Sequence, residues 1–270
     1  MPVPAPAIAL LTDFGTADAY PGVMCGIMLG IAPTVPTVTL THEIPPQDVV
    51  SAAWVLHTAW RSFPAGSVFL CVVDPGVGGT RRPIALAAGG CFFVGPDNGL
   101  FSFVLAGAAA RAAVVLDNPR YRLPHVSATF HGRDVFAPAA AHLAVGVPLA
   151  TLGTPLAPHS LLRLPLSAPQ WEDDTLVGHV VHVDHFGNLI TDIAGSLAAA
   201  LLNTPCVTLR LDDTPIAARA ETFAAAPTGT PVALLDSSGH LAVALRDGSA
   251  AAALSAGRGA SLRAHGVPRA

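Results

Sequence analysis

The sequence contains no lysine: its 14 basic residues are all arginine, and charged residues make up only 12% of the 270. A surface so thin in charge is weakly guarded against association, so burial of part of it in an oligomer is expected. There is no basic run and no interleaving of arginine with aromatics, which argues against nucleic acid as a partner. The formal net charge of −4 tolerates a cationic ligand without showing that one binds. The four cysteines, Cys25, Cys71, Cys91 and Cys206, include no CxxC pair and no zinc-type spacing. Three of them sit inside apolar runs, where a buried free thiol is the usual state. No apolar stretch reaches the length of a membrane span. Met1 to Leu11 lacks a basic n-region, and its apolar run is too short for a signal peptide, so a cytoplasmic protein is expected. GxSxG, P-loop and GxGxxG motifs are absent, which weakens serine-hydrolase, NTPase and dinucleotide-binding readings.

What is present is apolar. Hydrophobic residues make up 51%, much of it alanine, enough for a sizeable core in one large domain or two modest ones. The first half alternates strand-like and helical runs. Strands are expected at Ile8 to Leu11, Thr37 to Leu40, Val68 to Val73, Ile84 to Ala87, Cys91 to Val94 and Ala113 to Leu116. Val23, Ile27 and Ile31 fall at helical spacing before Pro33, Asp48 is a candidate N-cap for a helix over Val49 to Trp60, and a further helix is expected at Phe136 to Leu143. This alternation predicts an α/β domain with a doubly wound, mostly parallel sheet over residues 1–160. Proline, serine and leucine crowd Ala157 to Gln170, and 161–170 reads as a linker. Over 171–270, short runs at Thr175 to Val183, Cys206 to Leu211, Val232 to Leu235 and Leu241 to Leu245 predict a smaller antiparallel β domain, barrel or sandwich, with short helices near Ala198 and Ala225.

In a doubly wound sheet, ligands bind beyond the carboxyl ends of the strands. Asp13 follows the first strand, Asp74 and Arg81 the third, Asp97 and Asn98 the fifth, and Thr129 to Asp134 precede a helix. Each has a plainer reading. Asp13 before Phe14-Gly15 caps a turn, Asp74-Pro75-Gly76 is a turn signature, Arg133-Asp134 is a helix-start pair, and a lone His131 is commonly structural. In the second half Asp184 to Asn188 reads as a hairpin turn, as does Ser237 to His240. His182, Asp184 and His185 invite a metal reading, but His185 would fall on the opposite strand face from the other two, and no metal is expected.

Taken together, Leu11 to Gly15, Thr41 to Asp48, Val72 to Gly78, Phe93 to Phe101, Thr129 to Pro138 and Asp184 to Thr191 resemble, in order, the S-adenosyl-L-methionine hydrolases (hydroxide adenosyltransferases), relatives of the adenosylmethionine-dependent fluorinase and chlorinase. The resemblance implies hydrolysis of S-adenosyl-L-methionine to adenosine and methionine by in-line attack of water or hydroxide at ribose C5′, with no cofactor. It also implies a homotrimer whose substrate lies between one chain's N-terminal domain and a neighbour's C-terminal domain. Asp13 matches the aspartate that holds the ribose hydroxyls. Asp184, Phe186 and Asn188 match a segment contacting the methionine moiety and sugar face, and Ser237 and Ser238 match a pair near the amino-acid end, where the halogenases carry arginine in place of Ser238. Asp74, Arg81 and His131 match the triad proposed to handle water. Gln47, Phe130 and Gly132 complete the expected substrate-binding set; Gln47 stands where the fluorinase has an aromatic residue, and Gly132 where it uses serine to bind fluoride. Cys25 and Asp192 depart from a common lysine and asparagine.

A sulfonium leaving group departs neutral and needs no general acid. The difficulty is the nucleophile, because water has a pKa of about 15.7 in bulk. A neutral His131 is a candidate proton acceptor, Arg81 a candidate to stabilise or orient hydroxide, and Asp74 a residue to hold either; the sequence leaves open which accepts the proton. Three other readings stay on the table: a chloride-using halogenase, a non-catalytic adenosine- or adenosylmethionine-binding module, and a metallohydrolase built on His182, Asp184 and His185.

Overall fold

The computed structural model describes residues 6–267. Met1 to Ala5, part of the stretch weighed as a signal peptide, lie outside the described residues. The chain divides into two units, Met1–Pro165 and Leu166–Ala270. The division falls inside the proline-rich 161–170 stretch, whose first part packs on the first unit: Leu161 is buried in its core and Leu162 N donates to Asp97 Oδ1 at 2.9 Å.

In the first unit β1 (Ile8–Thr12) leads to α1 (Tyr20–Ile31), β2 (Thr37–Thr41), α2 (Val49–Ala59), β3 (Val68–Val72), β4 (Pro83–Ala88), β5 (Cys91–Pro96), α3 (Ser102–Gly107), β6 (Ala110–Val115), α4 (Ala137–Ala144) and β7 (Thr154–Leu156). β1 and β3 are buried at every position, as expected of central strands covered on both faces. Alternate residues serve opposite layers. Ile8, Leu10, Leu70 and Val72 pack with Met24 and Met28 of α1 and the alanines of α4; Ala9, Leu11, Phe69 and Cys71 pack with Ala52 and Leu56 of α2 and Val104 of α3. Each fully buried large side chain contributes about 1.5–3 kcal/mol, which fixes the two helical layers against the sheet.

The sheet order is β2-β1-β3-β5-β4-β6-β7. Its first four strands are parallel and the remaining three are added antiparallel. The change of direction has a local cause: Gly89 and Gly90, both at positive φ (58° and 84°), close a tight hairpin between β4 and β5. The α/β architecture stands: the sheet expected to be mostly parallel is mixed, parallel over β2-β1-β3-β5 and antiparallel beyond. From β1 the chain passes first to β2 on one side and then to β3 on the other. The carboxyl ends of β1 and β3 therefore flank a topological switch point, where such sheets open a crevice.

The second unit holds β8 (Gln170–Glu172), β9 (Thr175–Val183), β10 (Leu189–Ala194), α5 (Gly195–Asn203), β11 (Thr208–Leu211), β12 (Thr214–Ile216), β13 (Ala218–Arg219), β14 (Pro231–Leu235), β15 (His240–Leu245), α6 (Ala250–Ala253) and β16 (Ser261–His265). The strand order is β12-β11-β16-β9-β10-β15-β14-β13, with β8 on β9; every pairing is antiparallel except β13 with β14. Leu176, Val180, Leu209, Leu211, Leu241, Val243, Leu262 and Ala264 fill one continuous interior at period two. Near Ala225 there is a single 3-10 turn, Phe223–Ala225, instead of an α-helix: Pro227 follows and ends it. Among the described residues no helix is long and apolar enough to cross a membrane.

Candidate active site

Asp13 comes off the end of β1 and Asp74 follows β3 across the switch point. Both line a cavity of about 420 Å³ together with Gln47, Phe130, His131 and Gly132, all expected site residues of the first unit. Arg81 is not part of its wall; it lies behind and joins two of these residues. Arg81 Nε donates to both carboxylate oxygens of Asp74, at 2.9 and 3.0 Å, and Arg81 Nη2 donates to His131 Nδ1 at 2.7 Å. The Arg81 and Asp74 side chains are only 9% and 6% exposed, so the ion pair is strongly coupled and its geometry is fixed from two sides. Burial and the neighbouring Arg81 charge push the His131 imidazole below its ordinary pKa, against the opposing pull of Asp74 and Asp134.

Close backbone contact brings the loop after β3 to the loop before α4. Gly78, at φ 75°, leaves no room for a Cβ, which would overlap the Ala128 carbonyl. The second loop then enters α4 through a π-turn, Gly132–Phe136, closed by the Ala137 N–H onto the Gly132 carbonyl. Wide turns of this kind often mark functional positions. Asp134 does not cap the helix. It is buried in the turn, pairs with Arg133 Nε at 2.6 Å and accepts from Ser127 N at 2.8 Å, which pins the loop carrying His131.

Asp13 is held by Gln47, whose backbone N–H donates to Asp13 Oδ2 at 2.8 Å. His42, from the same matching stretch, is structural: buried, it meets Thr12 Oγ1 through Nδ1 at 2.9 Å and Thr39 Oγ1 through Nε2 at 3.3 Å, tying the Asp13 turn to the Gln47 loop. Asp97 is structural too, buried against Arg82 and the Leu162 N–H. Of the cavity's apolar wall, the sequence singled out Phe130 as a site residue but not Phe14 or Tyr20. Phe14, Tyr20 and Phe130 form an aromatic trio with centroids 5.2–5.9 Å apart. The missed signal was Tyr20, a half-exposed aromatic at the first position of α1.

In the second unit Asp184, Phe186 and Asn188 share the β9–β10 hairpin. Asp184 Oδ1 accepts from the Phe186 and Asn188 N–H groups, each at 2.9 Å, and Oδ2 from Asn188 Nδ2 at 2.7 Å. That engagement explains Asp184 without a metal, and among the described residues no three His, Cys, Asp or Glu groups gather to hold one. Phe186 and Asn188 line a second cleft of about 640 Å³ with Phe223 and Arg246, two residues the sequence did not single out. Ser237 and Ser238 lie elsewhere. Leu189 pairs with Val243 but Ala194 with His240, so the serine turn stands at the other end of the β10–β15 ladder from this hairpin. Ser238 Oγ is turned to Asp236, at 2.7–2.8 Å.

Comparison with known proteins identifies the family. Residues 8–153 match the SAM hydroxide adenosyltransferase N-terminal domain and residues 178–263 its C-terminal domain. A Salinispora tropica protein named (R)-S-adenosyl-L-methionine hydrolase is 44% identical over 96% of this chain and 98% of its own length. A fluorinase from an Actinoplanes species is 30% identical over 88% of this chain and 90% of its own. The crystal structure of an uncharacterized conserved protein from Thermotoga maritima superposes with a TM-score of 0.89 at 34% identity, covering 96% of this chain and 99% of that one. With both domains matched and close relatives aligned along nearly its whole length, the chain belongs to the SAM hydroxide adenosyltransferase family.

Proposed function

We propose that this protein is a hydrolase that converts S-adenosyl-L-methionine to adenosine and L-methionine. The observation that carries the reading is the Asp74–Arg81–His131 cluster at the wall of a cavity that also contains Asp13. Asp13 receives the ribose hydroxyls. One of its oxygens is steadied by Gln47 N–H, so the carboxylate is already oriented when the sugar arrives. Phe130 and Gly132 border the reacting carbon, and the triad orients a solvent-derived oxygen in line with the C5′–S bond. The leaving sulfur departs neutral, so the reaction as written requires no acid and no cofactor. Asp184, Phe186 and Asn188 are the second unit's contribution to substrate binding at the β9–β10 hairpin; Ser237 and Ser238, at the other end of the β10–β15 ladder, would reach only the far, amino-acid end of the ligand.

The functional assembly we propose is a homotrimer that shares substrate between neighbouring chains, in keeping with a surface only 12% of whose chain is charged. The compartment we propose is the cytoplasm, in keeping with four free thiols.

The test is incubation with adenosylmethionine in ¹⁸O-labelled water, with and without chloride, followed by chromatography and mass spectrometry. Label in the adenosine 5′-hydroxyl supports attack at C5′. 5′-Chloro-5′-deoxyadenosine would make the protein a halogenase, and tight ligand retention without methionine release would make it a binding module.

A further inference from the structure

The contact between Arg81 and His131 decides more than position. A guanidinium carries five N–H donors and no acceptor. Arg81 Nη2 lies 2.7 Å from His131 Nδ1, so the hydrogen bond exists only when Nδ1 is unprotonated. The proton of the neutral ring is then on Nε2, the remaining polar atom of a side chain that lines the cavity. We infer that His131 serves the attacking oxygen as a hydrogen-bond donor through Nε2–H, that this oxygen enters as hydroxide, and that Arg81 is the positioning residue that fixes the tautomer. The inference rests on the proposed hydrolysis and assigns a role within it.

The surrounding groups agree. Arg81 and Asp74 face the ring from the loop after β3, Asp134 from the π-turn and Arg122 from the loop before it. Burial, Arg81 and Arg122 favour the neutral ring; Asp74 and Asp134 oppose them, and the neutral form prevails. A ring whose Nδ1 is occupied by a guanidinium accepts a proton there only by releasing Arg81, and at Nε2 it already holds one. Asp74 offers little relief, since both its oxygens accept from Arg81.

The step balances without a protein base. A hydroxide lone pair forms the O–C5′ bond, the C5′–S electron pair leaves with sulfur and cancels the sulfonium charge, and the product hydroxyl already carries its single hydrogen. The proton was lost earlier, from water to solvent buffer. The site's task is to gather a scarce anion with donors, as oxyanion sites do.

The experiment combines ¹⁵N NMR of histidine-labelled protein with kinetics. The chain has eleven histidines, and His131→Gln identifies the signal that belongs to position 131. Expected is a ring with Nε2 protonated and Nδ1 bare throughout pH 7–9, with kcat/KM rising about tenfold per pH unit and no plateau, as hydroxide concentration does. Glutamine keeps an N–H donor but is no base, so His131→Gln retains turnover within about tenfold of the parent while His131→Ala does not. An Nδ1–H ring, an imidazolium, or a profile that levels above an ionisation lost in His131→Gln overturns the inference. So does a loss in His131→Gln of about a hundredfold or more, the size of a general-base contribution. Absence of adenosine at every pH defeats the proposed reaction itself; adenosine formed with a base-type profile defeats only the donor role.

Discussion

Gln47 adopts a left-handed backbone conformation, φ 66°, and from it donates its N–H to Asp13 Oδ2 at 2.8 Å. For a residue with a Cβ that conformation costs on the order of 1–2 kcal/mol. The strain coincides with a contact that steadies a carboxylate lining the cavity, a pairing typical of sites that are organised before ligand arrives.

Gln47→Gly relieves that strain and keeps the donor. Its KM for adenosylmethionine is expected to stay within about twofold, with stability unchanged or up to about 1 kcal/mol higher in urea unfolding. Gln47→Pro removes the N–H and forbids the conformation. Its KM is expected to rise about tenfold or more, as is that of Asp13→Ala, while neither alters the shape of the pH–rate profile.

Asp74→Ala leaves the buried Arg81 guanidinium without its counter-ion and is expected to cost about 3 kcal/mol of stability. Arg81→Lys retains the charge but not the planar fork that reaches Asp74 and His131 together. Circular dichroism should show it folded, with kcat lowered about a hundredfold and KM changed far less.

Gly78→Ala sets a Cβ against the Ala128 carbonyl in a left-handed conformation. The two loops are forced apart, and the Arg81–His131 contact opens. Stability is expected to fall by about 2 kcal/mol and turnover to fall with it. Unchanged kcat in this variant would remove the close approach from the account of the site.

Gly132→Ser introduces the serine that the resemblance to the fluorinase implies for this position. Its Cβ would stand 3.1 Å from Met24 Sδ and 3.2 Å from the Phe130 ring, a fit that needs shifts of a few tenths of an ångström. The variant is expected to fold and to lose hydrolysis, but to yield no 5′-fluoro-5′-deoxyadenosine with fluoride, because Asp74, Arg81 and His131 still line or back the same space. Detection of the fluorinated nucleoside would show that one hydroxyl suffices.

Asp184→Ala removes three hydrogen bonds from the β9–β10 hairpin and is expected to destabilise the protein by about 2 kcal/mol. Any binding defect must therefore be measured well below its unfolding temperature, and Asp184→Asn, which retains an acceptor, separates the two effects.

The sequence made the central strands legible because burial on both faces writes continuous apolar runs, as in Ile8 to Leu11 and Val68 to Val73. The Asp48 N-cap was legible for its chemistry, and its carboxylate does accept from Ser51 N at 3.1 Å. β10 and β16 were missed: Leu189 to Ala194 follows a turn too closely to stand out, and Ser261 to His265 mixes arginine and histidine with two inward residues. α3 is only six residues long and follows a glycine-rich turn. At the site, residue types and order pointed to Asp13, Asp74, Arg81 and His131, but not to Arg81 standing between the other two members of its triad. That depends on a guanidinium folding back over seven residues to Asp74 while reaching fifty residues ahead to His131. The separation of Ser237 and Ser238 from the Asp184 hairpin was equally hidden, since it follows from strand register rather than from residue type.

The π-turn at Gly132–Phe136 holds one residue more than an α-turn would. The phase of α4 is dictated by its alanines against β1 and β3, so the surplus residue rotates only what lies upstream, by about 100° per residue. Excising a single residue there would swing the imidazole away from its guanidinium and, because Val135 and Phe136 of the same turn are buried in the core, would disturb the packing beneath it as well. In this scaffold the direction of one reactive group is thus tied to the length of a turn that also fills the core.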